Sequence, residues 1–183
     1  MMQDRKDAML ALSELALKIE KAAKEFENPD VVATMGYVKL NPNEANIIPG
    51  EARAIIDVRT CEKEIQDKIL EKIKEAVIEI EEKRRVKIIR TELLNQPCRK
   101  LDEEVTAAID AGVEEIGEPK KQMVSMAGHD ASNMGLITKS GMIFVQSVGG
   151  KGHCRQEYSR PEDIEKAANA AFYALLKLDK ELN

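Results

Sequence analysis

The sequence predicts a mixed fold in two parts, an α+β part over residues 1–96 and the edge of an α/β domain over residues 97–183. Two observations predict it. The first part reads helix, strand, strand, helix, strand, which is a β-α-β-β-α-β pattern without its first strand. In the second part, helices alternate with short apolar segments, as in α/β domains. We therefore expect a further strand before Met1 and a boundary between the two parts near residues 95–100.

Two apolar stripes predict the helices of the first part. A helix over residues 4–27 is indicated by side chains at three- and four-residue steps, namely Leu12, Leu15, Ile19, Ala22 and Phe26. The turn-forming sequence Asn28-Pro29-Asp30 predicts its end. The second stripe comprises Ile65, Ile69, Ile73, Val77 and Ile80, and the basic residues 83–85 suit the carboxyl end of that helix.

Three strands are predicted in the same part. Residues 31–40 are rich in β-branched side chains and end at the turn sequence 41–43. Residues 52–59 alternate between apolar and mostly polar side chains, so Arg59 should face away from the core. Residues 86–91 are the third predicted strand.

The second part should open with a helix over residues 101–116 that Gly117 ends. Short strands are predicted at 122–125 and 142–145, on either side of a glycine-flanked loop. Residues 159–162 resemble a capping box with proline in the first turn of a last helix. The buried stripe predicted for this helix is Ile164, Ala168, Ala171, Leu175 and Leu178.

Composition excludes several classes of function. A net charge of -5 leaves no basic field for a nucleic-acid backbone. No apolar run approaches the ~20 residues of a membrane span, and we expect a cytoplasmic protein. The three cysteines, Cys61, Cys98 and Cys154, are widely spaced without a C-x-x-C pair, so free thiols are expected.

The two histidines, His129 and His153, both lie beside glycines, which allow a ligand to approach the backbone closely. A loop histidine with local hydrogen bonds is the ordinary alternative for each. Two histidines alone do not complete a zinc site, which takes three or four ligands. If His153 binds a metal, distant carboxylates or another chain must supply the other ligands.

Four ordered motifs carry a family resemblance. They are NPNEANIIPG at 41–50 with DVR at 57–59, SMAGHDA at 125–131, GMIFV at 141–145 and GKGHCRQE at 150–157. The opening residues 2–8 also look like a family helix start. The chain thereby resembles the C-terminal part of the N-carbamoyl-L-amino-acid hydrolases and allantoate amidohydrolases, which are dinuclear-zinc enzymes.

The resemblance implies a role for each part and for five residues. Residues 1–96 would be the lid, or dimerisation, domain without its first strand, and 97–183 the C-terminal segment of the catalytic domain. His153 would be the last of five protein ligands to two zinc ions. Asn46 and Arg59 would hold the substrate's carboxylate in the partner subunit's site, converging on one anion, and His129 and Asp130 would line the pocket. The ordinary alternatives are a turn residue at Asn46 and a solvated charge at Arg59.

The sequence also departs from the family. Met126, Gln146 and the pair Lys151-Gly152 replace a glycine, a proline and a small polar pair. The other zinc ligands and the general base have no counterpart, and metal-assisted hydrolysis needs both.

We therefore predict the C-terminal portion of a zinc amidohydrolase acting on N-carbamoyl or ureido acids, inactive as an isolated chain. Its partners would be a second copy, bound through the lid, a small carboxylate substrate and a separate N-terminal catalytic half. The alternative is a non-catalytic dimerising or carboxylate-binding protein derived from the lid.

Overall fold

The computed structural model of the chain describes residues 1–28 and 30–182. It has a mixed α/β architecture that divides into two compact units, Met1–Cys98 and Arg99–Asn183. No helix of the described residues is long and apolar enough to cross a membrane.

Unit 1, Met1–Cys98, contains two helices and a β-hairpin. In chain order its elements are a 3-10 helix at Met2–Asp4, α1 at Ala8–Lys24, β1 at Val32–Asn41, β2 at Glu51–Arg59 and α2 at Lys63–Arg84. The α1 helix begins later than predicted because the Asp7 carboxylate caps it, accepting the Leu10 N–H at 3.1 Å. The helix ends at Lys24, before the predicted turn at residues 28–30. Pro29 of that turn lies outside the described residues.

The core of unit 1 lies between the two helices and one face of the hairpin. Its buried members all come from the helices: Ala11, Leu15, Ile19, Ile69, Ile73, Ala76 and Ile80. From β2, Ile56 and Val58 pack against this cluster, whereas Asp57 and Arg59 are exposed on the other face. The predicted helix stripes and the predicted alternation along β2 are thus confirmed.

The predicted third strand, 86–91, is wrong. Within the described residues the sheet has two strands, β1 and β2, paired antiparallel. Val86 and Ile88 still pack against the core, so this segment is partly buried without being a strand. A strand also needs a neighbour to exchange backbone hydrogen bonds with, and this segment has none among the described residues.

Unit 2, which begins at Arg99, contains three helices: α3 at Glu103–Glu115, α4 at Asp130–Met134 and α5 at Pro161–Leu182. The Asp102 carboxylate caps α3 by accepting the N–H groups of Glu104 and Val105. Gly117 adopts a φ of 74°, as a left-handed helix end requires. Because α5 begins at Pro161 and the Arg160 carbonyl accepts its first bonds, the N-cap is Arg160, and the predicted capping box at Ser159 is wrong.

Three further expectations for unit 2 are corrected. Segments 122–125 and 142–145 are not strands, since neither has a pairing neighbour among the described residues. The predicted loop between them contains α4 and a short 3-10 helix follows at Val148–Gly150. In α5 the predicted buried residues Ile164, Ala168 and Leu175 are exposed.

The contact between α3 and α5 explains the exposed stripe. It is made by small residues, Ala108 and Gly112 on α3 and Ala170 and Ala174 on α5, all of them buried. An added Cβ at Gly112 would lie 2.2 Å from the Ala170 carbonyl oxygen. Small residues let the two backbones approach closely, so the alanine face of α5 meets α3 and the larger side chains remain outside.

Cysteine pairing also differs from expectation. Cys61 and Cys98 form a disulfide across 37 residues, and only Cys154 is a free, exposed thiol. The spacing of the cysteines in the sequence did not predict this disulfide, because the chain passes through the whole of α2 and residues 85–98 before Cys98 meets Cys61.

Salt bridges join the outer sides of α1 and α2. Glu14 accepts hydrogen bonds from Lys83 Nζ and Arg84 Nε, both at 2.7 Å, and Lys18 donates to Glu79 at 2.7 Å. The hydrogen bonds from Lys83 and then Arg84 hold the pKa of Glu14 below its usual 4.5.

We expect Gly112→Ala to lower the free energy of unfolding by about 1–3 kcal/mol, through overpacking against the α5 backbone. Alanine otherwise favours a helix by up to ~1 kcal/mol, so a net loss identifies the steric contact. Thermal melting followed by circular dichroism measures the effect. Gly128→Ala, where an added Cβ meets nothing within 4 Å, is the control and should change little. A Gly112→Ala protein that is as stable as wild type contradicts the close contact.

We expect Glu14→Gln to reduce stability at neutral pH by about 1 kcal/mol or less, the usual range for such pairs. Because the folded-state pKa is lowered, the stabilisation exists above pH 4.5 and is lost as the pH falls through the folded value. Urea unfolding at pH 7 and at pH 3 tests this, and the two proteins should converge at the lower pH. Glu71→Gln, which breaks a pair within α2 only, is the control. A stability difference that persists unchanged at pH 3 contradicts the assignment.

Candidate functional site

Arg59 is the last residue of β2 and lies on the face of the hairpin away from the core. Its Nε donates to both oxygens of Asp57 at 3.0 Å, and its Nη2 also donates to Oδ2. These hydrogen bonds lower the pKa of the Asp57 carboxyl below its usual 3.8, and Asp57 raises the pKa of Arg59. Asp57 therefore orients the guanidinium, while the Arg59 side chain remains 45% exposed to solvent.

Asn46 lies in the loop between β1 and β2 and is exposed. The loop is anchored where Gly50 donates to the Asn41 carbonyl at 3.0 Å, and the Pro49 carbonyl accepts the Ala8 N–H at 3.1 Å. Asn43 has a φ of 61°, and the Asn41-Pro42 peptide is cis.

Asn46 and Arg59 belong to opposite ends of the hairpin. Glu51 pairs with Asn41 at the loop end, and Arg59 pairs with Val32 at the other. The eight residue steps of β2 between these pairs cover about 26 Å. One chain therefore does not bring Asn46 and Arg59 onto a single anion, and the expectation that they converge is corrected.

His129 and Asp130 lie at the start of α4, in unit 2. His129 is the residue before the helix, is exposed, and makes an edge-to-face contact with Phe144, with ring centroids 6.3 Å apart. Asp130, also exposed, is the first residue of the helix. The two residues therefore lie side by side at the amino end of α4.

His153 lies in an exposed loop of unit 2, in a left-handed backbone conformation with a φ of 57°. Its N–H donates to Glu157 Oε2 at 2.7 Å. The Val148 N–H donates a hydrogen bond of 2.8 Å to the Tyr158 carbonyl and so closes the loop. Histidine is one of the residues that tolerates this conformation, which is often found at functional sites.

The residues present do not fit the two-zinc centre that the resemblance implies. Among the described residues, no group of three or more His, Cys, Asp or Glu side chains could hold a metal ion. His153 alone provides one donor, whereas zinc sites use three or four. The described residues therefore include no complete zinc site, and His153 is the zinc ligand that the resemblance implies for this chain.

Sequence reasoning missed two residues that the structure connects to the candidate site. Asp57 orients Arg59, and Glu157 binds the backbone of His153. Both lie inside the motifs quoted above, so the motifs identified the segments without the partners.

Comparison with known proteins identifies the class. The model of peptidase family M20/M25/M40 matches residues 14–177. The chain belongs to this family.

The named relatives are amidohydrolases and related hydrolases. A ureidoglycolate hydrolase of Arabidopsis thaliana is 35% identical over 179 residues, covering 97% of this chain and 38% of the relative. An N-carbamoyl-L-amino-acid amidohydrolase of Pseudomonas sp. is 28% identical over 94% of this chain and 42% of the relative. An allantoate amidohydrolase of Bacillus subtilis is 28% identical over 97% and 43%.

Solved structures of such hydrolases are also similar to this chain. The crystal structure of AtUAH in complex with (S)-hydroxyglycine superposes with a TM-score of 0.90 at 35% identity, covering 97% of this chain and 42% of that one. An amidase of the hydantoinase/carbamoylase family from Burkholderia multivorans gives a TM-score of 0.88 at 26% identity. The chain thus spans about 40% of the length of its relatives and corresponds to their C-terminal part.

Proposed function

We propose that this chain is the C-terminal portion of a zinc-dependent amidohydrolase that cleaves linear carbon–nitrogen bonds in ureido or N-carbamoyl acids. Unit 1 would be the lid, or dimerisation, domain and unit 2 the C-terminal segment of the catalytic domain. The observation that carries the proposal is the superposition of nearly the whole chain, 97%, on only 42% of AtUAH. On this proposal the isolated chain is inactive.

The surface of unit 2 supports the proposal that another part of the enzyme binds to it. Among its described side chains, the fully buried hydrophobic residues are Ala108, Ala170 and Ala174. Several of the larger apolar side chains are exposed, including Phe144, Ile164, Phe172, Leu175 and Leu176. Such a surface is typical of the interior of a larger domain, so we propose that an N-terminal catalytic half covers it and supplies the remaining zinc ligands and the base.

Arg59 is the proposed contact for the substrate's carboxylate. The solved AtUAH complexes contain (S)-hydroxyglycine and glyoxylate, both small carboxylic acids. Arginine binds a carboxylate through two parallel hydrogen bonds, and because Asp57 already accepts from Nε and Nη2, the substrate's carboxylate would compete with Asp57 for the guanidinium. Since Asn46 lies at the other end of the hairpin, we propose that Asn46 and Arg59 of one chain serve different sites, one of them in the partner subunit.

A second candidate function is a non-catalytic protein that dimerises or binds carboxylates through unit 1. It is favoured by the fact that unit 1 has a core of its own, with Ile19, Ile69 and Ile80 fully buried. The presence or absence of a polypeptide with the missing half in the native source distinguishes the two functions.

We expect this chain to show neither hydrolysis of an N-carbamoyl or ureido acid nor stoichiometric zinc until the N-terminal half is supplied. In that complemented enzyme, Arg59→Lys should raise KM by roughly 10- to 100-fold, because losing one charge-assisted pair costs about 1.5–3 kcal/mol. The melting temperature should change little, since Arg59 is exposed.

Arg53→Lys is the matched control, because Arg53 also lies on the outward face of β2, near the loop end. Its KM should equal that of wild type. An unchanged KM with a lowered melting temperature in Arg59→Lys would make Arg59 a structural residue. Activity of the chain alone would overturn the proposal of an incomplete enzyme.

We also expect the chain to self-associate through unit 1, along β1 or through α2. The outer edge of β1 has no strand beside it among the described residues, and open edges pair readily. Sedimentation at high micromolar concentration tests this expectation. Val38→Lys on β1 should weaken the dimer and Ile78→Lys on α2, of matched exposure, should not. The reverse result would assign the contact to α2, and a monomeric wild-type chain would contradict self-association.

A further inference from the structure

The disulfide between Cys61 and Cys98 joins two points of unit 1 that the fold brings together. The Cα atoms are 4.9 Å apart, inside the roughly 4.4–6.8 Å range of protein disulfides. Cys61 lies two residues after Arg59 and just before α2, and Cys98 is the last residue of unit 1. The bond therefore ties the end of β2 to the point where the chain leaves the unit.

The segment that precedes Cys98 has few other attachments. Ile88 packs against the core and its N–H donates to Glu81 Oε1 at 2.6 Å. Every residue from 89 to 98 is exposed, with Ile89 at 79%. Apart from the local pair of Asn95 and Glu92, no other hydrogen bond is found for residues 89–98 in the described structure. About ten residues are thus attached to the rest of unit 1 by the packing of Ile88 at one end and by the disulfide at the other.

Both half-cystines are exposed to solvent. Exposed disulfides are open to attack by thiolates and are the labile members of their class, unlike buried structural ones. The core of unit 1 contains neither Cys61 nor Cys98, so opening the bond leaves the packing of α1 and α2 on the hairpin in place.

We propose that Cys61 and Cys98 form a reversible thiol-oxidation site that determines whether residues 89–98 are fastened to unit 1. The oxidant is a low-molecular-weight disulfide such as oxidised glutathione. One cysteine thiolate attacks a sulfur of that disulfide, forming a mixed disulfide and releasing one small thiolate. The second cysteine, as thiolate, then attacks the first cysteine's sulfur in the mixed disulfide and releases the other small thiolate. Two protein thiols are oxidised and one small disulfide is reduced to two thiols, so electrons and protons balance.

The fastened and released forms differ in how readily a protease reaches the segment. Arg90 lies within it and is exposed, so trypsin can report the change. We expect cleavage after Arg90 to be at least about tenfold faster in the reduced chain, because the open segment samples the extended conformations that proteases bind. Lys121, exposed in unit 2, provides an internal reference that the redox state should not alter.

The experiment uses the full chain, equilibrated in buffers of defined reduced and oxidised glutathione. Mass mapping without reductant should find the peptides of Cys61 and Cys98 linked after oxidation and separate after reduction. Cys98→Ser should be cleaved at the fast rate in every buffer, whereas Cys154→Ser should behave as wild type. Cysteines 61 and 98 that stay unlinked in oxidised glutathione, whether as thiols or as separate glutathione adducts, would overturn the site. Equal cleavage rates after Arg90 in linked and reduced chains would overturn the fastening.

Discussion

Burial of the apolar faces of α1 and α2 against one side of a β-hairpin is the interaction on which unit 1 depends. The three largest fully buried side chains of the described structure, Ile19, Ile69 and Ile80, all lie in this layer. Because the helices cover one face of the hairpin only, the alternation along β2 leaves Asp57 and Arg59 on the other. The same packing that stabilises the unit therefore presents its proposed carboxylate-binding residue to solvent.

The described residues of unit 2 form no comparable layer. A pair of helices that meet through glycine and alanine buries little apolar area, which at about 25 cal/mol per Å² gives little stabilisation. The apolar segments 122–125 and 142–145 have strand-like composition, yet no neighbouring strand fixes them among the described residues. These features agree with a chain that corresponds to about 40% of its relatives, since a sheet and its helices are stable together rather than in part.

The sequence predicted what depends on local periodicity and missed what depends on partners. Stripes such as Leu15 and Ile19 identified α1, and the alternation from Ala52 to Val58 identified the faces of β2. The strands 86–91, 122–125 and 142–145 failed because a strand requires a neighbour, which composition does not reveal. In α5 the hydrophobic stripe at Ile164 and Leu175 predicted burial. The alanine face is buried instead, because Gly112 on α3 lets that face approach closely. The buried face of α5 therefore depends on the shape of another helix.

The candidate site follows the same rule. The motifs identified Arg59 and His153, but their hydrogen bonds with the carboxylates of Asp57 and Glu157 depend on the folded structure. Asn46 and Arg59 are close in sequence, yet an antiparallel hairpin places a loop and the far end of its second strand a whole strand length apart. A carboxylate clamp that needs both residues must therefore draw them from two copies of unit 1. On the function proposed above, dimerisation and substrate binding would then be one requirement rather than two separate properties.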